Sequence, residues 1–337
     1  MSKIWKNFTA VALCVAASCG IGLAQVSPAT ILEVDVENRV SYSDDTFDFS
    51  KLGTDPGVTT AVPSRNFRKS VTIGDIVAVN GQPAKGTFVG SFRQLFFRPE
   101  PTPGQAIADI TRNSVLEFAF EILKIDGTPI GGIMAAGLGT GSAPPGAPLA
   151  VTQGNVAIVG GTGAFLGARG QTGQTVTAQT IADRQASMSE DPANRRRNGG
   201  GGRTRFLFHL TPLARPEVVI TPGGPAVFHS DFSLVNAARP AKAGEVLILV
   251  ANGLGPTRPG VDPGAPFPVD PLAEVNSPLE VMVNGRPAEI LLSIGRPRTT
   301  DTYRVDIRVP EGTTAGQATI HLTTAWIAGP EVTIAFQ

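Results

Sequence analysis

NVAIVGGTGAFLGARGQ runs from Asn155 to Gln171. An apolar run leads into Gly160-Gly161-Thr162-Gly163, then Phe165 and Ala168-Arg169-Gly170. Glycine permits backbone angles closed to other residues, so a strand can turn back sharply here at a barrel rim. The next stretch of chain, QTGQTVTAQT, is rich in β-formers and glycine. It is not the amphipathic helix on which a dinucleotide-binding turn seats a pyrophosphate. The glycine spacing is not G-x-G-x-x-G, and the turn lies mid-chain instead of after a first strand. Strand, turn, strand is the reading that fits, with Phe165 plugging a barrel and Arg169 projecting from the next strand.

Neighbouring segments carry the same period of two. In Gly86 to Phe97, Phe88, Phe92 and Phe96 fall on one side. In Val115 to Ile125, Leu116, Phe118, Phe120 and Ile122 share a face opposite Glu117 and Glu121. Thr204, Phe206, Phe208 and Leu210 alternate with Arg203, Arg205 and His209. Half-buried strands of this kind predict an antiparallel barrel or sandwich. Residues 184–203, RQASMSEDPANRRRNGGGGR, break the pattern. With little apolar surface to pack, they read as a flexible excursion whose Arg195-Arg196-Arg197 run is solvated.

LARPEVVITPGGP, residues 213–225, reads as a linker. A second strand series comes after it: Glu245 to Ala251, Leu279 to Val283, Pro287 to Ser293, Tyr303 to Val309, Ala318 to Trp326 and Glu331 to Phe336. Asn284-Gly285 is the dipeptide that a tight primed hairpin turn requires. The fold class expected is therefore all-β: an antiparallel β-barrel over residues 25–212, the 213–225 linker, and an Ig-like β-sandwich over 226–337.

The Gly-Gly-Thr-Gly, aromatic, Ala-Arg-Gly sequence of Asn155 to Gln171 resembles the signature of the dirigent and allene oxide cyclase barrel superfamily. Residues 74–92, 115–125 and 203–211 resemble its early, central and closing strands, so the likeness covers about residues 30–212. Family members line a barrel pocket with acidic, Arg and Tyr groups. Only Arg169 sits in a matching motif here, and the Tyr that often comes after Ala-Arg-Gly is replaced by Gln171. Residues 226–337 resemble the Solibacter-type uncharacterised C-terminal domain of secreted acidobacterial proteins. The likeness rests on Ser233 to Ala238, Asn252-Gly253-Leu254-Gly255-Pro256 and Val283 to Ala288. It implies an Ig-like accessory module with no activity established for the family.

At the N-terminus, Lys3 and Lys6 precede an apolar run from Phe8 to Ala24, and Gly22-Leu23-Ala24 before Gln25 suits signal peptidase. Cleavage after Ala24 would export the chain to the periplasm or beyond. The run is shorter than a membrane span. Both cysteines, Cys14 and Cys19, lie within residues 1–24. The mature chain then has no disulfide, Cys-ligated metal or Cys nucleophile. Lipidation at Cys19, after the poor lipobox Ala16-Ala17-Ser18, is the competing route. The 28 basic and 28 acidic residues balance, which gives no reason to expect nucleic acid as partner.

No catalytic constellation emerges. His209, His229 and His321 are scattered, so no metal is expected, and no Gly-x-Ser-x-Gly elbow occurs. Glu117 and Glu121 sit about 13 Å apart along a strand, too far for a glycosidase pair. Asp44, Asp45 and Asp48 read as a surface cluster. The ligand-binding candidates are Arg169, Phe165, Glu117 and Glu121. Gly160, Gly161, Thr162 and Gly163 form a structural turn, and no cofactor is implied. The expected function is a non-catalytic secreted or envelope-associated binding protein for a small apolar ligand or a cell-envelope component. The alternative is a dirigent-type cyclase or isomerase acting on an apolar intermediate in the lumen.

Overall fold

A computed structural model describes residues 30–43, 66–96, 112–139, 150–175, 181–211, 214–262 and 264–337. The segment 1–24, Cys14, Cys19, Asp44, Asp45 and Asp48 lie outside these residues. The protein is all-β. Its first part comprises β1 (Thr30–Ser43), β2 (Asn66–Val79), β3 (Gln82–Phe96), β4 (Arg112–Leu123), β5 (Pro129–Gly139) and β6 (Gln153–Gly161). It continues with β7 (Arg169–Thr175), β8 (Arg184–Ser187) and β9 (Thr204–Thr211).

Eight of these strands close in the order β2-β3-β4-β5-β6-β7-β9-β1, with β1 pairing back on β2, and every contact is antiparallel. Closure removes the exposed edges that would otherwise invite aggregation. Strand β8 pairs with β1 in parallel, outside the cycle. The β4 alternation appears as expected: Leu116, Phe118, Phe120 and Ile122 point into the core while Glu117 and Glu121 face out. Phe88, Phe118, Phe120, Phe206 and Phe208 meet ring to ring inside, with centroids 4.8 to 6.3 Å apart. Eight strands leave an interior just wide enough for side chains or one small ligand. Phe88, Phe120, Phe206 and Phe208 are among the largest side chains fully buried in the described residues, and aromatic rings bury much apolar area each.

The two ends of the barrel differ. At one end lie the tight turns: Asn80-Gly81, both with positive φ, then Asp126-Gly127, then the β6–β7 turn. At the other end lie Ser43, Phe96, Gly139 and Thr175, the last residues of β1, β3, β5 and β7.

The second part is two antiparallel sheets around one core. One sheet runs through Glu217–Val218, Val246–Asn252, Thr302–Arg308, Glu289–Gly295, Glu274–Val275 and Thr257–Arg258, with Val227–His229 also on Val246–Asn252. The other holds Arg286–Pro287, Leu279–Val283, Gly316–Thr324, Ile327–Ala328 and Val332–Phe336. Leu247, Leu249 and Val305 from the first sheet pack with Val283, Ile320 and Ile334 from the second.

Three expectations need correction. Within the expected linker, residues 217–225 are not free chain: Glu217–Val218 pairs with Ala251–Asn252, Val218 is buried, and Ile220–Thr221 pairs with Gly224–Pro225. The Asn284-Gly285 hairpin forms with both residues at positive φ, but it pairs only two residues per arm. Beyond Ala288 the chain crosses to the other sheet, so Leu279–Val283 and Glu289–Gly295 do not face each other in one hairpin. The third is the 184–203 excursion, which is folded onto the barrel. Asp75 on the outer side of β2 accepts bonds from Arg195, from Arg196 Nε at 2.9 Å and from Asn38 at 3.0 Å. Arg195 is buried. The glycines here serve close approach. A Cβ on Gly200 would come within 2.7 Å of Asn38, and one on Gly201 within 2.4 Å of the Arg184 backbone.

Candidate functional site

The β6–β7 turn carries Gly163 at φ +60 and a single 3-10 turn, Gly163–Phe165. The chain then enters β7 and not a helix, which disposes of a dinucleotide-type phosphate turn. Phe165 is buried in the barrel core, as expected of a plug. Arg169 is not in the lumen. Its side chain is exposed and its Nη1 donates to the carbonyls of Val159 at 2.7 Å and Ala168 at 3.0 Å, binding the turn to itself. Glu117 pairs with Arg93 on the outer surface at 3.1 Å, and Glu121 is exposed on the same face. Of the four candidate ligand residues only Phe165 faces inward, because β4 and β7 spend their outward positions on the polar ones.

A charged group that does enter the barrel is Arg39. Strand β1 alternates normally through Leu32, Val34 and Val36, then bulges at Asn38, which has φ 52. A bulge adds one residue to one strand and reverses which side the next side chains face. Arg39 thereby points inward, 5.4 Å above the Phe88 ring and 5.6 Å from that of Phe206. Val40 and Tyr42 turn outward and are nonetheless buried, Tyr42 among charged residues of the excursion: Glu190, Arg184, Arg195 and Asp191.

Arg39 pairs with Asp183 at 3.1 Å, the two side chains being 6% and 20% exposed. Burial lowers the Arg39 pKa against the pull of Asp183, and burial raises the Asp183 carboxyl against the pull of Arg39. The attraction therefore only partly offsets desolvation. Arg39 Nε is buried with no partner, as is the Oγ1 of Thr172. Orphaned buried polar atoms are costly, and each calls for a reason.

Around Arg39 the interior changes character. The register aligns Ser41, Thr72, Gly90, Phe118 and Ala135 in one layer across five strands. Ser70, Phe92, Leu116 and Gly137 form the next. Ser41, Ser70, Thr72 and Thr204 are buried, and Phe92 is half-buried against the core. One side of this end is thus short and polar, the other apolar and aromatic, with a guanidinium between.

The chain matches no protein-family model and no curated protein. Among the described residues no three His, Cys, Asp or Glu side chains gather as a metal site, and no helix is long and apolar enough to cross a membrane. His229 is buried and fully engaged, with Nδ1 at 2.6 Å from Glu245 and Nε2 at 3.2 Å from the Arg239 carbonyl.

No motif in the sequence marks Arg39 or Asp183. At Arg39 the one trace is that Val40 and Tyr42 continue the even-numbered apolar series of β1 past Glu37-Asn38-Arg39, where polar residues crowd. Only the positive φ of Asn38 reveals that the face has switched.

Proposed function

We propose that the protein is a secreted or envelope-associated binding protein, not an enzyme, whose barrel takes one small, largely apolar ligand at the end where Arg39 enters. The observation that carries this reading is the guanidinium over two aromatic rings with a buried Nε left unpartnered. A ligand with a flat apolar body and an anionic or carbonyl acceptor would complete that environment, through cation–π and charge-assisted contacts. The closed eight-stranded barrel supports the resemblance to the dirigent and allene oxide cyclase superfamily, and the two-sheet second part supports an Ig-like accessory role.

The test uses 8-anilinonaphthalene-1-sulfonate, an anionic aromatic fluorophore. Saturable binding to the full mature chain is expected. The double variant Arg39→Met/Asp183→Asn removes both charges together and so avoids stranding one of them. It should weaken binding about tenfold, on the scale of one hydrogen bond to a charged group. Undiminished binding by this variant, or none by the wild type, would sink the reading.

A second reading, a cyclase or isomerase of dirigent type, is favoured by one feature. Asp183, the carboxyl paired with Arg39, has its pKa raised by burial, the direction a general acid needs. Turnover of an apolar substrate, lost in Asp183→Asn with binding retained, would distinguish it.

Export is the other half of the proposal. N-terminal sequencing of protein from its native compartment should begin at Gln25; a retained Met1 or a lipid on Cys19 would reject this route.

A further inference from the structure

The barrel's tight-turn end is covered by the second part of the chain. Ala325 and Ile327 are buried in the barrel's own core cluster, with Trp326 packed against it. Trp326 Nε1 donates to Gln82 Oε1 at 3.0 Å, and Asn276 Nδ2 donates to the Pro129 carbonyl at 2.7 Å. Beside this seam lies a cavity of about 470 Å³ between the β6–β7 turn and the loops of the second part. That volume falls within the range of small-molecule sites, and pockets favour such junctions.

Its walls have a definite chemistry. Phe165 and Leu210 come from the barrel, and Val261, Phe267, Tyr303 and Ile327 from the second part. Phe267 and Tyr303 stand ring to ring at 5.2 Å. The Tyr303 hydroxyl donates to the Gly255 carbonyl at 2.6 Å, and burial, with Asp301 nearby, lifts its pKa to about 12. It therefore stays a neutral phenol whose proton is already used. The charges that remain among the described lining residues are Asp262 and Asp301, both exposed at the rim, with no Lys, Arg or His. An apolar, aromatic-walled cavity with acids at its mouth selects a cation on an apolar body.

We propose that this cavity is a second ligand site, separate from the barrel interior, for a small aromatic amine in its ammonium form. The ring enters between Phe165, Phe267 and Tyr303, and the ammonium remains at the Asp262 and Asp301 rim. The site does not depend on the reading of Arg39, and its ligand has the opposite charge.

Calorimetry on the full mature chain with 2-naphthylmethylammonium and, separately, 2-naphthoate tests it. The cation should bind and the anion should bind at least tenfold more weakly. Asp262→Asn and Asp301→Asn should each weaken the cation about threefold and together about tenfold, as partly exposed charge pairs do. Asp301 has φ 50, a conformation asparagine accepts, so this variant should fold. Val261→Trp should fill the cavity and abolish binding. Arg39→Met/Asp183→Asn should leave the cation's affinity unchanged. Equal affinity for both probes, undiminished affinity in the Asp262/Asp301 double variant, or loss in the Arg39/Asp183 variant would each overturn the assignment.

Discussion

Asp75→Ala should lower stability by about 3–5 kcal/mol, the cost of leaving a buried ion without its partner. The ion left behind is Arg195, which is buried where the excursion meets the barrel and also donates to the Asn38 carbonyl at 2.5 Å. Arg196 and Asn38 lose the same acceptor. Residues 188–200 would then lose their main hold on β1 and β2, and limited proteolysis should cut within them. The wild type should resist. The pH dependence supplies a second, independent measure. Burial pushes the Asp75 carboxyl up, but the bonds from Arg196, Arg195 and Asn38 outweigh it and bring its pKa down to about 2. In the unfolded chain an Asp titrates near 3.9. A carboxylate depressed on folding contributes stability that is complete above the unfolded value. That contribution is lost as pH falls from about 4 through about 2, and it amounts to about 2–3 kcal/mol. Urea melts between pH 2 and 6 should therefore show the wild type losing stability faster than Asp75→Asn as acid is added. Parallel profiles would mean that Asp75 is not the anchor.

This anchor shows which features a sequence can and cannot disclose. The β4 residues Leu116 to Ile122 announce their strand because burial of one face is a local, period-two property. The β6–β7 turn announces itself because glycine at three of four successive positions, 160, 161 and 163, has few other uses. Asp75, by contrast, is one acid in an ordinary strand, and its arginine partners lie 120 and 121 residues away. Arg195-Arg196-Arg197 beside four glycines has the composition of a solvated loop, yet the glycines let that segment lie against Asn38 and Arg184, and two of the arginines reach Asp75. Composition reports how much apolar surface a segment carries; it says nothing of a distant countercharge. The candidate site stays hidden for a related reason. Arg169, Glu117 and Glu121 attract notice as charged residues near barrel motifs, but strand parity sends them outward. Arg39 goes inward only because one bulge inverts that parity, and no pattern of period two can register an inserted residue whose own side chain is polar.

Gly163→Val should destabilise the protein by about 3–5 kcal/mol, combining backbone strain with overpacking. Gly163 has φ +60, and a Cβ there would lie 2.4 Å from the Ile130 carbonyl oxygen and 2.8 Å from Gly131 Cα. Both obstacles are backbone and cannot swing aside. Gly161 isolates the second effect. Its φ is not in the left-handed region, but a Cβ would meet the Phe165 carbonyl oxygen at 2.1 Å. Gly160 is the internal control: the nearest atom to a Cβ is Arg169 Nη1 at 3.7 Å, so Gly160→Ala should stay within about 0.5 kcal/mol of wild type. Asparagine separates conformation from space. It tolerates positive φ, so at Gly127, where φ is +89 and nothing lies within 4 Å, Gly127→Asn should be mild. Gly163→Asn should be nearly as damaging as valine, because the Ile130 carbonyl still blocks its Cβ. Thermal and urea melts of these variants decide the matter. If Gly163→Asn restores wild-type stability, the glycine is there for its dihedral angles alone. If it does not, the turn is held by close approach between the β6–β7 connection and the start of β5, and Phe165 keeps its place in the core because Gly161 and Gly163 let the backbone press that near.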